Sequence, residues 1–475
     1  MKKKTGTLLL ASFAALVIAL SGCTSSPENS GQNDSSDIDS ASNSSSPIQS
    51  DSESDEPVEA EIALANSSYL LIPRAGADSA DLSPVVTENG TVVPDAEITY
   101  DVSNPEVVSV EDGKLKAIAA GTALVTASYE PATLNATAVA EVEVLGEATA
   151  EQVNSLDENY VNLFGRVYRS AEERMILDNV CTGVEVAFFG TKLSVNVSSS
   201  QKSQLRVFTD GDTEGEAHIL TGGSQTVTVA EFPEEGLHIV RVLKAASPQY
   251  GTIQLGETAF ECDGDFYCAP QKSDLKIEFV GDSITAGAGV LGPSTEPNQY
   301  VENSDPTKAY AYLTAQALDA EPSIMALEGI CVKDSSICSY DVYTQTSTSN
   351  KTAYDPSLFE ADIVVLGLGE NDMWHATDNS FPYTVEQFRQ DYADMLRLIR
   401  KYHPEAHIVC IYGMMGASAT PLTQQTITAA IEDTGDNNIS QLRMAPDTSG
   451  ANYHPGQKAH QRFATLLSQH IRDYI

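Results

Sequence analysis

A serine that directly follows an apolar segment is the residue of this 475-residue chain best placed for nucleophilic chemistry. The segment 275–280 has the pattern of a buried strand, and Gly281-Asp282-Ser283 stands at its carboxyl end. We expect a strand-to-helix turn here that exposes the Ser283 hydroxyl and points its N–H towards a developing oxyanion. The helix N-terminus would add partial positive charge. A serine in that position is suited to attack a carbonyl carbon.

The serine needs a base, and His454 is the leading candidate. It stands in the segment Asn452-Tyr453-His454-Pro455-Gly456, just before a helical pattern that closes the chain. An imidazole can take the serine proton and return it to a leaving alcohol, which typically accelerates a reaction by about 10²–10⁴-fold. We expect His460, slightly further on, to sit on the final helix rather than to compete for this role.

Alternating strand and helix patterns surround these residues and predict an α/β domain over residues 273–475. The predicted elements are helices at 310–318, 385–402 and 456–471 and buried parallel strands at 362–368 and 407–412. Such a sheet places its ligand site at the carboxyl ends of its strands. The Gly281-Asp282-Ser283 turn falls at one of those ends.

Four short blocks in this α/β domain resemble those of the SGNH hydrolases. In chain order they are Gly281-Asp282-Ser283, Gly329 in Leu327-Glu328-Gly329-Ile330, Gly369-Glu370-Asn371-Asp372, and His454. Together with a β-rich segment before them, they make residues 155–475 look specifically like carbohydrate esterase family 2, the acetylxylan and related deacetylases. The resemblance implies an α/β SGNH-hydrolase catalytic domain of the flavodoxin-like three-layer type.

The resemblance also implies a role for each matched residue. Ser283 is the nucleophile, and His454 is the general base and acid. The oxyanion hole consists of the backbone N–H groups of Ser283 and Gly329 and the side-chain amide of Asn371. An amide donates without titrating, and loss of one such donor typically lowers turnover by about 10²–10³-fold.

The chain departs from the SGNH pattern at the third member of the triad. Members usually carry Asp three residues before the histidine, where this chain has Ala451. Some relatives in the esterase family are similar to a Ser-His dyad in which backbone carbonyls orient the imidazole. Asp447, from the preceding loop, is the alternative orienting group, although a solvated loop acid is its more ordinary interpretation.

Two residues beside the matched blocks are predicted to contact substrate. Trp374, the only tryptophan, follows Asn371 in what we predict to be a loop, and its indole face is suited to stack on a sugar ring. Core packing is the competing interpretation of Trp374. Asp282, within the serine block, is the second predicted contact.

The chain ahead of residue 273 is predicted to contain two β-sandwich domains. Residues 60–147 show short alternating runs between turns and resemble the bacterial Ig-like group 2 module, which is usually a spacer or an adhesive unit. Residues 150–268 continue the β pattern and predict a jelly-roll β-sandwich. This second domain either binds carbohydrate or packs against the catalytic domain, and the sequence leaves both interpretations open.

The first 59 residues predict an exported, lipid-anchored protein. Lys2–Lys4 precede an apolar run at 8–20, which is typical of an export signal over residues 1–22. The run ends in Leu20-Ser21-Gly22-Cys23, which resembles the bacterial lipobox and makes Cys23 the lipid anchor; an ordinary secretory signal is the alternative. Residues 23–59 are acidic and Ser-rich and predict a disordered tether that extends from the outer face of the cell membrane.

The charge of the chain limits the partners that it can bind. The chain has 67 Asp and Glu against 27 Lys and Arg, a formal charge of −40 that repels nucleic acid and anionic lipid.

Six cysteines remain beyond Cys23. Cys262/Cys268 and Cys331/Cys338 are plausible disulfides in an exported chain, whereas Cys410 is expected to be a buried thiol. No structural zinc site is expected, since neither close pair has a second Cys/His pair at ligand spacing.

These observations combine into one functional hypothesis with two alternatives. We expect a surface-anchored monomeric esterase that removes O-acetyl groups from plant polysaccharide such as acetylxylan or glucomannan, without metal or organic cofactor. A broader esterase for small acyl esters would use the same serine machinery. A non-catalytic carbohydrate-binding adhesin is the alternative from another class, favoured by the two β-sandwich domains and by the missing Asp.

Overall fold

The computed structural model describes most of the chain beyond the predicted tether. The described residues are 59–131, 135–146, 152–297, 301–333, 338–378 and 380–475. The predicted signal peptide, Cys23 and nearly all of the tether lie outside them. Within these ranges, no helix has both the length and the apolar character needed to span a membrane.

Short strands in three small sheets make up the first β-rich region. Its strands are β1 (Ala60–Ala63), β2 (Ser68–Leu71), β3 (Ser79–Asp81), β4 (Val85–Glu88), β5 (Thr91–Val92), β6 (Thr99–Val102), β7 (Val108–Glu111), β8 (Lys114–Ala117), β9 (Gly121–Tyr129) and β10 (Ala136–Val144). The sheets have the orders β1-β4-β5, β2-β10-β9-β6 and β3-β8-β7. Alternate residues of β9 and β10 are buried, so the period-2 pattern of the sequence forms the core.

One large sheet dominates the second β-rich region. Its strands are β11 (Gln152–Val153), β12 (Val161–Phe164), β13 (Tyr168–Arg169), β14 (Met175–Leu177), β15 (Gly183–Ser199), β16 (Ser203–Thr209), β17 (Glu216–Leu220), β18 (Gly223–Lys244), β19 (Ile253–Cys262) and β20 (Asp265–Tyr267). The main order is β13-β14-β19-β15-β18-β16-β17, and β11, β12 and β20 pair at its side. The long strands β15 and β18 run antiparallel with register shifts, which let one pair curve around the core.

The C-terminal part is an α/β domain around a parallel sheet, as the sequence predicted. Its strands are β21 (Lys276–Gly281), β22 (Glu321–Ala326), β23 (Ile363–Gly367), β24 (His407–Tyr412) and β25 (Ile439–Arg443). Its helices are α1 (Tyr310–Ala317), α2 (Ser339–Tyr343), α3 (Glu370–Thr377), α4 (Val385–Tyr402), α5 (Pro421–Thr434) and α6 (Gln457–Ile471). The strand order β22-β21-β23-β24-β25 is the doubly wound order in which β21 lies at the topological switch point.

Helices cover both faces of this sheet. Ile277 and Phe279 of β21 belong to a cluster with residues of α1 and α6, whereas Val280 belongs to a cluster with α4. Helix α4 buries Phe388, Tyr392, Met395 and Ile399, which recur every three or four positions along one face. The result is three layers, and it leaves the carboxyl edge of the sheet to the loops.

A buried charge network joins the second β-rich region to the strand that precedes Ser283. Glu278 of β21 is fully buried, and its Oε1 lies 2.9 Å from Nη2 of Arg166, whose side chain is 2% exposed. Tyr343 donates to Glu278 Oε2 at 2.6 Å, and His403 Nε2 lies 3.0 Å from the same oxygen. Burial raises the pKa of Glu278, but Arg166 and these partners outweigh it and lower that pKa to about 2.

A second contact fixes the β-rich region to the segment after Ser283. Arg206 of β16 forms a buried ion pair with Asp305, whose backbone N–H donates to the Gly287 carbonyl at 3.1 Å. Phe208, also on β16, stacks on Tyr312 of α1 with ring centroids 5.5 Å apart. The sequence left open whether this region binds carbohydrate or packs against the C-terminal domain. The structure shows that it packs against the α/β domain.

The cysteines differ in part from the prediction. In the described part of the chain, neither Cys262/Cys268 nor Cys331/Cys338 forms a disulfide. The Cys331 Sγ instead lies 3.7 Å from Nδ1 of His375. Cys410 is a buried thiol on β24, as predicted, and burial raises its pKa to about 12.

Replacing Arg166 by Met should destabilise the α/β domain by about 3–5 kcal/mol, because Glu278 would stay buried without its cation. Urea unfolding followed by tryptophan fluorescence measures this, since the single tryptophan, Trp374, lies in the α/β domain. The matched control is Arg389→Met, which breaks a half-exposed pair with Asp433 and should cost less than about 1 kcal/mol. Equal effects of the two substitutions would contradict the central position given to Glu278.

Candidate active site

Ser283 follows the carboxyl end of the central strand, in a run of turns. The carboxylate of Asp282 accepts a hydrogen bond from Ile284 N at 3.0 Å, and Ala288 N donates to the Ser283 carbonyl at 2.9 Å. The predicted helix after the serine is wrong: residues 283–289 form turns, with Gly287 and Gly289 at positive φ. The partial positive charge expected from a helix N-terminus is therefore absent at Ser283. The backbone N–H of Ser283 remains as the local hydrogen-bond donor for an oxyanion.

His454 reaches Ser283 from the loop between β25 and α6. Its Nε2 lies 2.9 Å from the Ser283 Oγ, and the residue is 8% exposed. Burial lowers the pKa of His454, which the backbone carbonyls of Ala451 and Asn452 partly counteract. Its Nδ1 has no hydrogen bond of standard geometry to any described residue, so these carbonyls are the nearest orienting groups.

Asp447 does not serve as the third triad member in this structure. Its Oδ1 accepts hydrogen bonds from Ser449 N at 2.9 Å and Gly456 N at 3.2 Å, and its Oδ2 pairs with Arg462 at 3.2 Å. These contacts use the carboxylate to shape the loop ahead of α6. Of the two alternatives, the structure favours orientation of His454 by backbone carbonyls.

The backbone ahead of His454 is strained. Asn452 and Tyr453 are consecutive non-glycine residues at φ 51° and 61°, and such conformations each cost of order 1–3 kcal/mol. The loop is held in place by Ala451 N, which donates to the Gly289 carbonyl at 2.8 Å, and by Asn452 N, which donates to the Glu296 carbonyl at 2.7 Å. The loops that carry the base and the nucleophile are therefore bonded directly to each other.

Gly329 and Asn371 follow the two strands that flank β21. Gly329 comes after β22 at φ 72°, and a Cβ built on it would meet nothing within 4 Å, so its backbone faces open space. Asn371 comes after β23, in the first turn of α3, and its Nδ2 donates to the Ile330 carbonyl at 3.0 Å. Three adjacent parallel strands thus deliver Ser283, Gly329 and Asn371 to one edge of the sheet.

The two predicted substrate contacts differ in exposure. Trp374 is 52% exposed, and its ring lies 5.2 Å from those of His375 and Phe381. It belongs to helix α3 rather than to the predicted loop. Asp282 is 1% exposed, and its carboxylate accepts the hydrogen bond from Ile284 N that braces the serine turn.

His460 lies on α6, as predicted, and contacts the start of α1. It is fully buried, its Nδ1 accepts from Tyr310 N at 3.0 Å, and burial lowers its pKa to about 3. A histidine with that pKa is neutral at physiological pH. His460 is therefore a packing and anchoring residue and not a second base.

Sequence reasoning missed the residues of the second β-rich region that reach the site. The short turn Pro248–Tyr250 places the Gln249 side chain on Glu328, next to Gly329; burial raises the pKa of Glu328 to about 7. Tyr250 interacts with Ser304, whose Oγ accepts from Gly289 N at 3.1 Å. One turn of the β region thus contacts Glu328, next to Gly329, and is linked through Ser304 to the loop that follows Ser283.

Glu370 is a further acidic group of the site that sequence reasoning left without a role. It accepts hydrogen bonds from Ala417 N at 3.0 Å and Ser418 N at 2.8 Å, and its charge favours the protonated form of His454. Within the described residues no cluster of three or more His, Cys, Asp or Glu is arranged to hold a metal ion. The arrangement can activate a serine, receive an oxyanion and shuttle a proton.

Two family models match this chain. Residues 163–270 match the Carbohydrate esterase 2 N-terminal family, and residues 279–462 match the GDSL-like Lipase/Acylhydrolase family. The cellulase/esterase CelE of Acetivibrio thermocellus is 27% identical over 307 residues, which cover 62% of this chain and 37% of that protein. An acetylxylan esterase/glucomannan deacetylase of Cellvibrio japonicus is 28% identical over 230 residues, which cover 44% of this chain. The match spans 63% of that second relative, so this chain aligns with less than two thirds of either protein.

Solved structures give the same relationship. A family two carbohydrate esterase from Clostridium thermocellum, in complex with cellohexaose, has a TM-score of 0.61 at 26% identity and covers 66% of this chain and 98% of its own. A family two carbohydrate esterase from Cellvibrio japonicus has a TM-score of 0.62 at 20% identity, covers 69% of this chain and 98% of its own, and supports the fold alone. The chain is therefore similar to a Carbohydrate esterase 2 N-terminal domain over residues 163–270 and to a GDSL-like acylhydrolase domain over residues 279–462.

The lowered pKa of His454 predicts how Ser283 reactivity depends on pH. The base must be neutral, and burial keeps the imidazole neutral below its ordinary pKa of 6.5. The rate of covalent labelling of Ser283 by a fluorophosphonate should therefore fall on acidification with a midpoint below pH 6.5. A midpoint at or above pH 6.5 would show that Glu370 and the loop carbonyls outweigh burial.

Proposed function

From a Carbohydrate esterase 2 N-terminal domain joined to a GDSL-like acylhydrolase domain, we propose that this chain is a serine esterase that hydrolyses O-acetyl groups on plant cell-wall polysaccharide. Acetylxylan and glucomannan are the proposed substrates, by analogy with the Cellvibrio japonicus relative. The observation that carries the proposal is the 2.9 Å contact between the Ser283 Oγ and His454 Nε2 at the carboxyl edge of the sheet. A purely binding protein would not need a histidine aligned with a serine in this way.

The reaction proceeds in two balanced halves. The Ser283 Oγ attacks the acetyl carbonyl carbon while His454 Nε2 takes the hydroxyl proton, and the carbonyl oxygen becomes an oxyanion. The proposed donors to this oxyanion are the N–H groups of Ser283 and Gly329 and the amide of Asn371. Collapse breaks the bond to the sugar oxygen, which takes the proton from His454. A water then loses a proton to His454 and attacks the acetyl-enzyme; collapse breaks the bond to the Ser283 Oγ, which takes that proton from His454, and acetate leaves.

Substrate binding fits the exposed aromatic surface of α3. The half-exposed indole of Trp374 offers a flat apolar face beside Asn371, and sugar rings stack on such faces. A neutral polysaccharide is not repelled by a chain of charge −40. The reaction needs no metal or organic cofactor, since the charges that develop are met by backbone and side-chain donors.

The finer architecture and the cellular setting form part of the same proposal. The first β-rich region is proposed to be an Ig-like spacer over residues 60–147, and the second a jelly-roll sandwich over 150–268, ahead of the SGNH-hydrolase domain at 273–475. The export signal and lipobox support an anchor at Cys23 on the outer face of the cell membrane. The acidic tether at 23–59 would then let a monomer reach insoluble polymer.

Acetate release from acetylated xylan and glucomannan tests the assignment. The wild-type chain should release acetate from at least one polymer, and Ser283→Ala should lower kcat by at least about 10³-fold, because Ser283 is the nucleophile that contacts His454 Nε2 in the described part of the chain. The matched control is Ser357→Ala, an exposed serine ahead of the amino end of β23, which should keep wild-type activity. Polymer binding without any acetate release would favour the adhesin, and preference for longer acyl esters would favour the broader esterase.

A further inference from the structure

Asp372 is a fully buried acid whose neighbours are parts of the proposed oxyanion hole. It stands in the first turn of α3, and its Oδ1 accepts a hydrogen bond from Val332 N at 2.9 Å. Its Oδ2 is buried without a hydrogen bond to any described residue. Among the described residues, Asp372 therefore hydrogen-bonds the loop after β22 through Val332 N.

Asn371 and Asp372 together hold that loop at two points. Asn371 Nδ2 donates to the Ile330 carbonyl at 3.0 Å, while Asp372 Oδ1 accepts from Val332 N two residues further on. Gly329, whose N–H is proposed to meet the oxyanion, immediately precedes this held segment. Gly329 has a positive φ and no side chain to pack, so the direction of its N–H depends on the residues on either side of it: Glu328, which Gln249 contacts, and the held segment that follows.

The charge state of Asp372 fits a holding role. Burial, together with the nearby acids Asp282 and Asp391, raises its pKa to about 8, so the carboxyl is largely neutral at pH 7. A neutral carboxyl still offers Oδ1 as an acceptor to Val332. It also adds no negative charge beside a site where an oxyanion has to form.

We propose that Asp372 is a positioning residue of the esterase reaction, which aims the Gly329 N–H at the oxyanion by fixing the backbone at Val332. The inference rests on the proposed function, because an oxyanion must form for the aim to matter. Asp372 does not touch the reacting atoms. It acts through a loop whose misplacement by about 1 Å can lower a rate by about 10²-fold.

Kinetics on a small acetyl ester separate positioning from simple stability. Asp372→Ala should lower kcat by about 10–100-fold and change KM less than about threefold, because the loop meets the transition state rather than the ground state. Asp372→Asn keeps an acceptor oxygen and a neutral charge, so it should recover kcat to within about threefold of wild type. An alanine variant that keeps kcat, or an asparagine variant that loses as much as alanine, would overturn the proposal.

Asp178→Ala is the matched control. Asp178 is also a buried acid that accepts a backbone N–H, from Ser349 at 2.9 Å, but it belongs to the contact between the β-rich region and the 347–349 loop. Its loss should lower thermal stability while the folded protein keeps its kcat. A matching fall of kcat in Asp178→Ala would mean that any buried acid produces the effect, and the positioning role of Asp372 would be wrong.

Amide hydrogen exchange at Val332 makes the two proposals separable. Asp372→Ala should speed this exchange at least about tenfold, and Asp372→Asn should leave it near the wild-type rate. If the wild-type chain hydrolyses no ester, the proposed function fails, while Val332 exchange still decides whether Asp372 holds the loop. If the wild-type chain is active and Val332 exchange is unchanged in Asp372→Ala, the esterase stands and the positioning role falls.

Discussion

The hydrogen bond between Ser283 and His454 is the contact on which the rest of the structure depends. It joins residues 171 positions apart, and each of them lies on a loop. The two loops are bonded to each other through Ala451 N and the Gly289 carbonyl, so the base moves with the nucleophile. No carboxylate steadies the far side of the imidazole in the described structure. The backbone of the loop therefore orients the His454 ring, a task that an aspartate usually performs. The strained φ of Asn452 lies in this loop.

The second β-rich region also helps to hold the strand that leads to Ser283. Strand β21 carries Ser283 at its end and a buried glutamate, Glu278, five residues earlier, which a sheet interior tolerates only when the charge is paired. The partner is Arg166, from outside the α/β domain, held over the rings of Tyr343 and Tyr354. A separate turn of the same region reaches Glu328 beside Gly329. The candidate site is thus built by one domain and fixed in place by another.

The sequence was enough to predict several elements of the α/β domain but not the contacts between them. Helix Val385–Tyr402 and strand His407–Tyr412 agree with their predicted bounds, because a strong apolar period and a continuous apolar run are local signals. The helix expected after Ser283 failed because glycines at positive φ turn the chain before a helix can start. The pairing of Arg166 with Glu278 joins residues 112 positions apart. No local pattern records such contacts.

Trapping the acyl-enzyme tests the account most directly. The full chain would be mixed with an activated acetyl ester, quenched in acid within milliseconds, digested and examined by peptide mass spectrometry. A serine nucleophile activated by His454 predicts up to one acetyl group per chain, carried on the peptide that contains Ser283, and no acetyl group there when His454 is replaced by Ala. Steady turnover with no acetyl on that peptide, or an equal yield in the His454 variant, would contradict a serine nucleophile activated by this histidine.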